Sequence, residues 1–399
     1  MVDTTLRPAP PTADPKPPRR PVNVEARREN RAGWLFVAPA LVLIALFLVV
    51  PAGLALYVSL LDWNGTYSPL TGRAPFVGLE NYRELLFEDG LIRHDFMISV
   101  RNTMYFVLLV VPSQTLVALL LAVVVNNRAL RGRAFFRSVF YFPSITSSVA
   151  ISVIFLFLFS GSGAVNALLE FVGIQGPNWF TDSRGVLHEA LVLFGVDGPP
   201  RFLEETTVGG LPLWDWLSGP SVAMMTIIAL VVWTTSGTYM LIFLAALQNL
   251  PDNVHEAALV DGANWWQRFW KVTVPQLRPT IFLVATLGLI GTWQVFDQVY
   301  VVSQGDPAKT TLTPAYLSYT TAFDQLNYPR GAAMAFLLFL LIFVLTQSQR
   351  WLLRDKDEAA RAKAERRQRR GDRRKPNTPA GETVIARTSG GDIAFEPGH

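Results

Sequence analysis

The sequence predicts an all-α integral membrane protein with six spanning helices, and three observations lead there. Half of its 399 residues are hydrophobic and only 17% are charged, against roughly 25% in an ordinary soluble domain. The charge is concentrated at the two ends, and the middle is a series of long apolar runs. Lys and Arg also alternate between loops in a way that an even number of crossings satisfies.

The elements follow in chain order. Residues 1–31 are rich in proline and arginine and lack the apolar content to fold alone, so they read as a disordered tail. Trp34 to Leu61 is an apolar run longer than the roughly 7–15 residues of a signal core, with no clear cleavage site at its end. It reads as an uncleaved first helix over 34–61. Residues 62–99 form an outer loop. Five further spans are expected within 100–352, at 103–125, 138–160, 221–247, 280–302 and 331–352. Each has the length of about 20 residues that an apolar layer of roughly 30 Å requires. Pro39, Pro51 and Pro112 fall inside spans, where freed carbonyls must be met by neighbours. Residues 353–399 are a basic tail, read as disordered or as a frayed helix against anionic lipid.

The charge count orients these spans. The N-terminal tail holds seven Lys and Arg, the loop 126–137 holds four, and the chain after 347 holds thirteen. Loop 248–279 adds Arg268, Lys271 and Arg278. The long loop 161–220 has only Arg184 and Arg201 beside seven acidic residues. Both termini are therefore expected in the cytoplasm. Within that long loop the apolar segment Gly185–Gly195 is too short to span and reads as a surface helix.

Several functions lose their chemistry at this stage. With no cysteine, disulfides and thiolate catalysis are out. His94, His188, His255 and His399 lie outside the apolar runs and show no ligand spacing, so neither a metal site nor a membrane enzyme is expected. The net charge of +4 sits beside membrane segments and in the tails, which argues against nucleic acid. No GxxxxGK[ST] phosphate loop is present. A secondary transporter would show internal repeats and paired broken helices, and no such repeat is visible.

The most informative stretch is Leu250–Pro279. Asp252 is placed to cap a short helix ending near Asp261, with Gly262 free to take the left-handed conformation. A second short helix is expected from Asn264 to Lys271, and Pro275 and Pro279 then start the next span. Trp265, Trp266, Phe269 and Trp270 cannot all face one side of a helix. Some are expected to meet the membrane core and others a partner.

This stretch resembles the signature of ABC-importer permeases: Glu-Ala-Ala, three residues, Gly, nine residues, Ile-x-Leu-Pro. Here it reads Glu256-Ala257-Ala258, Gly262, then Val272-Thr273-Val274-Pro275. The segments Phe76–Leu86, Arg101–Phe106, Phe135–Ser160, Met240–Pro251 and Gly291–Pro307 are also similar to the MalF/UgpA-like permease of carbohydrate importers. One departure is Asp306, where that family usually has a second Gly. Another is the outer loop 174–220, longer than usual, which fits either a contact for the solute-binding protein or a tolerated insertion.

The resemblance implies a type I ABC importer permease of MetI-like fold in a bacterial inner membrane. Its expected partners are a second permease, two ATPase subunits and an extracellular or periplasmic solute-binding protein delivering a sugar. ATP and Mg would be held by the ATPase subunits, and no cofactor by this chain. Glu256, Ala257, Ala258, Asp261, Gly262, Ala263 and Pro275 would frame the loop that docks onto the ATPase. Sugars are bound by aromatic platforms and hydrogen-bonding side chains. Spans four and five offer Trp233, Ser236, Tyr239, Thr292, Trp293, Gln294 and Asp297 as pathway candidates. Asp297 is an ionisable group in a span; its other reading is a place near the outer interface. For Trp293 and Tyr239 the other reading is helix packing. A non-sugar solute such as glycerol phosphate, an amino acid or a peptide is the alternative within the same class.

Overall fold

A computed structural model describes residues 24–127, 130–187, 191 and 201–352. The tail from 353, most of 1–31 and the greater part of Gly185–Gly195 lie outside the described residues. Helix α1 covers Val24–Ile44, widens into one π-helical turn at Ala45–Val49 and continues over Val50–Val58. Residues 24–31, expected in the disordered tail, are thus helical, because a helix nucleated by the apolar run extends readily into its flank. The wide turn directly precedes Pro51, whose ring has no N–H to place.

There follow α2 (Glu80–Leu86), α3 (Leu91–Asn126), α4 (Arg133–Ile145), α5 (Ser148–Leu158) and α6 (Ala164–Phe171). The long outer loop contains α7 (Arg201–Glu205), strands β1 (Thr207–Val208) and β2 (Leu211–Pro212), and α8 (Leu213–Leu217). The two strands pair antiparallel across Gly209 and Gly210, at φ +64° and +83°, the positive angles a two-residue hairpin turn needs. This hairpin is a small addition to the all-helical expectation. Then come α9 (Val222–Gln248), α10 (Asp252–Val260), α11 (Trp265–Gln276), α12 (Arg278–Trp293), α13 (Asp297–Val302), α14 (Pro314–Tyr319) and α15 (Tyr328–Leu352).

Four helices are long and apolar enough to cross a membrane alone: Arg31–Val58, Leu91–Asn126, Val222–Gln248 and Tyr328–Gln349. Two bent pairs bring the number to six, α4 with α5 at 99° and α11 with α12 at 69°. The span expected at 138–160 is the bent α4–α5 pair, and the one expected at 280–302 is interrupted between α12 and α13, a break separate from the α11–α12 bend. The first breaks at Thr146 and Ser147, whose ψ angles of 148° and 130° are non-helical. Thr146 Oγ1 donates to the Phe142 carbonyl at 2.9 Å, one of the side-chain bonds that compete with helix continuation. The second ends at Trp293, where Gln294 N–H and Val295 N–H make tight bonds to Gly291 and Thr292 carbonyls. The helix expected over 103–125 instead begins at Leu91, its polar start held by protein contacts. Lys309 Nζ pairs with Asp95 at 2.7 Å, and Asn102 Nδ2 donates to the Lys309 and Leu312 carbonyls at 2.7 and 3.0 Å.

That clamp fixes the segment after α13 at the end which the charge count assigns to the outside, here called the outer end. Asp306 closes the turn there with Gly305 supplying the positive φ of +89°. A second outer anchor is Asp182, which accepts from Arg184 Nη2 at 2.6 Å. These bonds hold its carboxyl below the usual carboxylate range. The Asp182 carbonyl also accepts from Ala223 N–H at the start of α9.

The core is the packing of α3, α9 and α12. Ala118 and Ala122 on α3 are fully buried against Met240 and Phe243 of α9, together with Leu277 and Val284. Small residues at this seam allow the helices to approach closely. A second cluster nearer the outer end joins Phe106 and Val110 to Met224, Ile227 and Val231, with Val295 and Val299. Two glycines set the closest approaches. A Cβ on Gly237 would lie 2.3 Å from the Phe140 carbonyl oxygen of α4, and one on Gly288 would lie 2.2 Å from Gln114 Nε2 of α3. Beside Gly237, Ser144 Oγ donates to the Thr234 carbonyl at 2.6 Å and accepts from Thr238 N–H at 3.1 Å. A hydroxyl is thereby inserted alongside one turn of α9.

Gly237→Ala is expected to destabilise the purified protein by about 1–3 kcal/mol, because the contacting atoms are backbone. Gly288→Ala is expected to act in the same direction. Gly53→Ala, at a helical site with nothing within 4 Å, is expected to be neutral or slightly stabilising. Thermal melting in detergent checks the order. Equal melting points for all three variants would contradict the close-packing account.

Candidate functional site

The loop after α9 is built as anticipated in outline and differently in detail. Pro251 holds the N-cap position of α10, and Asp252 is its first helical residue. At the other end Gly262 N–H bonds the Leu259 carbonyl at 3.1 Å and Ala263 N–H bonds the Ala258 carbonyl at 3.0 Å. This is the Schellman arrangement, with Gly262 at the left-handed position, φ +74°. Asn264 then caps α11: its Oδ1 accepts from Gln267 N–H at 2.8 Å, while Gln267 Oε1 accepts from Asn264 N–H at 2.9 Å. The reciprocal pair is readable in the sequence as Asn-x-x-Gln before the aromatic run.

Helix α11 runs to Gln276, past the expected end at Lys271. Its middle, Phe269–Thr273, is one π-helical turn. Pro275 therefore lies in the last turn of α11, and only Pro279 starts α12. The wide turn accommodates a proline that offers no N–H to the ladder. The aromatics divide as their spacing requires. Phe269 is buried among the α3, α9 and α12 core residues, while Trp265, Trp266 and Trp270 are half exposed or more. Trp265 stacks on Phe269 at 5.6 Å between centroids. On α10, Glu256 and Ala257 are exposed, as are Asp261 and Gly262, and Ala258 and Ala263 are partly buried. Val260 is 88% exposed. The loop thus presents an apolar edge outward on a frame fixed by two caps.

Two adjoining clefts lie where the broken spans meet α9. One, of about 260 Å³, is lined by Ser144, Thr146, Ser148, Ser152, Thr234 and Thr238 with Leu230 and Ile151. The other, of about 220 Å³, is lined by Gln114, Gly288, Gly291, Thr292, Gln294, Phe296 and Asp297. Thr235, Tyr239 and Gln298 line both. Gln298 Nε2 donates to Ser148 Oγ at 2.9 Å, which ties α13 to α5. Thr235 Oγ1 donates to Gln114 Oε1 at 2.7 Å, and Gln114 is fully buried.

The pathway candidates fall into two sets. Tyr239, Thr292, Gln294 and Asp297 come together on the second cleft, with Gln294 and Asp297 exposed. Trp233, Ser236 and Trp293 do not line either cleft. Trp233 packs on Phe155, with ring centroids 5.7 Å apart. Ser236 is buried with its hydroxyl on the Val232 carbonyl. Trp293 is buried against Val107, Leu338 and Ile342. Sequence reasoning passed over Gln114, Thr235, Gln298 and the hydroxyls of Ser144 to Ser152. The signal for Thr235 was its helical spacing from Tyr239. Gln114 was visible as an amide inside an apolar run, but the bend that brings α5 to the cleft was not encoded in any periodicity.

Comparison with known proteins places this architecture. The model of the family described as "Binding-protein-dependent transport system inner membrane component" matches residues 114–357. A probable ABC transporter permease protein, YesP of Bacillus subtilis (strain 168), is 32% identical over 323 residues, covering 80% of this chain and 89% of the relative. The lactose transport system permease protein LacF of Rhizobium radiobacter is 32% identical over 329 residues, 81% of this chain and 94% of the relative. A solved bacterial alginate ABC transporter, in complex with an alginate pentasaccharide-bound periplasmic protein, has a chain similar in fold. Its TM-score is 0.61 at 17% identity, covering 83% of this chain and 96% of that one. The bent-helix architecture, the capped loop and these matches together make the chain a membrane permease belonging to the family of binding-protein-dependent transport system inner membrane components.

Proposed function

We propose that this permease carries a sugar or oligosaccharide through the two clefts, driven by ATP hydrolysis on separate subunits. The observation that carries the reading is the chemistry of the cleft walls. Among the described residues eight serine and threonine side chains, the amides of Gln114, Gln294 and Gln298, and one carboxylate line the clefts with the rings of Tyr239 and Phe296. A saccharide has a hydroxyl rim and an apolar face, and this set offers partners to both. The lactose permease relative supports the same solute class.

The loop from α10 to α11 is the docking element in this reading. Its exposed Leu259, Val260 and tryptophans lie on short helices that cannot shift independently, because Gly262 and Asn264 lock the turn between them. Glu256, Ala257, Ala258, Asp261, Ala263 and Pro275 complete the frame. Two ATPase subunits holding ATP and Mg, a second permease and a solute-binding protein complete the transporter. The charge count supports an inner-membrane orientation with both termini in the cytoplasm.

Three outcomes test this. Val260→Glu and Gly262→Pro are expected to abolish co-purification with the ATPase subunits, and Gly262→Ala to weaken it, since a left-handed alanine costs roughly 1–2 kcal/mol. Full retention of the ATPase by Gly262→Pro would refute the docking role. Thr235→Val, which leaves the buried Gln114 amide oxygen without its donor, and Asp297→Leu, which removes the carboxylate from the cleft wall, are expected to raise the KM for solute-stimulated ATPase activity about tenfold or more. An unchanged KM would remove the clefts from the pathway. The purified chain alone is expected to show no ATP hydrolysis, and hydrolysis by it would place the ATPase within this polypeptide.

A further inference from the structure

A row of aromatic rings leads away from the second cleft toward the outer end. It starts at Phe296, which lines that cleft. Phe296 stacks on Tyr300 at 5.5 Å between centroids and meets Tyr319 edge-on at 5.3 Å. Tyr319 lies 5.2 Å from Phe323, Phe323 lies 6.3 Å from Tyr328, and Tyr328 lies 5.2 Å from Trp63 of the first outer loop. The six rings come from three separate stretches of chain, so the row is a product of folding. Tyr300 and Phe323 are 44% and 60% exposed, and the others are partly buried. Polar residues adjoin the rings in the chain: Gln294 and Asp297 flank Phe296, and Asp324 and Gln325 follow Phe323, all four exposed.

Interfacial aromatics often anchor a membrane protein among lipid headgroups. Exposed carboxylates next to Phe296 and Phe323 in the chain speak against a lipid-facing row, because a charge facing hydrocarbon is costly. A row of tilted and edge-on rings with carboxylates and amides beside it suits a saccharide, whose apolar face lies on a ring and whose hydroxyls donate to the rim. The ring-to-ring steps of 5.2 to 6.3 Å are close to the length of one hexose unit, so the row matches a chain of several units better than a single one. The charge narrows the class further. Among the described residues neither cleft is lined by Lys or Arg, and Asp297 is the charged residue in their linings. Arg330, near Tyr328 on α15, is already paired with Glu84 at 2.7 Å. Among the described residues of these linings, an anionic sugar would meet the Asp297 carboxylate and no Lys or Arg.

We infer that the row from Trp63 to Phe296 is an entry track for neutral oligosaccharides, guiding several sugar units from the outer end to the cleft. This rests on the saccharide reading above and adds to it chain length and charge. It sets this permease apart from the structural neighbour that imports alginate, an acidic polysaccharide.

The test uses the complete transporter reconstituted in liposomes with its binding protein. ATPase stimulation is read for neutral glucose-, galactose-, xylose- and arabinose-based saccharides of one to six units, and for uronate oligosaccharides of the same lengths. Tyr300→Ala and Phe323→Ala are expected to raise the KM for chains of three units or more about five- to tenfold, leaving mono- and disaccharides within about twofold. Tyr300→Phe is expected to retain wild-type values. Tyr300→Leu, which keeps apolar volume without a π-face, is expected to behave as the alanine variant does. An equal change at every chain length, wild-type behaviour of the leucine variant, or no change at all would overturn the track while leaving the saccharide reading intact. Stimulation by uronate oligosaccharides as strong as by neutral ones would overturn the charge assignment. If no saccharide stimulates the wild-type transporter, the saccharide reading falls and the track falls with it.

Discussion

Inside an apolar layer every backbone N–H and C=O needs a partner from the protein itself, and that requirement decides where this chain stops being helical. It does so at Thr146–Ser147 and at Gln294–Phe296, and at both places side chains take over. Thr146 bonds back to the Phe142 carbonyl, and Thr313 Oγ1 reaches the Val295 carbonyl at 3.1 Å. The segments after the two breaks meet directly beside α9, where Gln298 of α13 donates to Ser148 of α5 at 2.9 Å. Polar residues beside the breaks also line the clefts: Thr146 and Ser148 at the first break, and Gln294, Asp297 and Gln298 at the second. Unbroken helices supply further polar lining, Gln114 from α3 and Thr234, Thr235, Thr238 and Tyr239 from α9.

The close approach of α4 to α9 works toward the same end. Gly237 lets the Phe140 carbonyl come within a distance no Cβ would allow, and Ser144 then bridges Thr234 and Thr238. Gln114 is held in a similar way, with Gly288 making room for its amide and Thr235 supplying its hydrogen bond. At the outer end the ion pairs Asp95–Lys309 and Glu84–Arg330 hold the segments that carry the aromatic row. At the opposite end Phe269 fastens α11 to the core while its neighbouring tryptophans stay exposed. Loop, clefts and outer row are thus three parts of one packed unit.

Much of this was legible before any coordinates. Apolar length and the Lys and Arg count gave six crossings, because hydropathy is a local property of sequence. Gly262 was legible as a left-handed turn residue, because glycine alone takes that angle without strain. Four of the pathway candidates, Tyr239, Thr292, Gln294 and Asp297, share one cleft. Trp233 and Trp293 do not, since an aromatic in an apolar helix carries no mark of which side faces a neighbour. Pro275 was assigned to the start of the next span, and the π-helical turn that lets α11 run through it has no signature in composition.

Helical membrane character, six crossings and the frame of the capped loop are properties of local sequence, following from transfer energies and from backbone preferences of single residues. Where two of the crossings break, which polar residues meet at the clefts and how six distant rings form a row are properties of the folded chain. Those depend on contacts between residues far apart in the chain, such as Gln298 with Ser148 and Asn102 with Lys309, which no local pattern encodes.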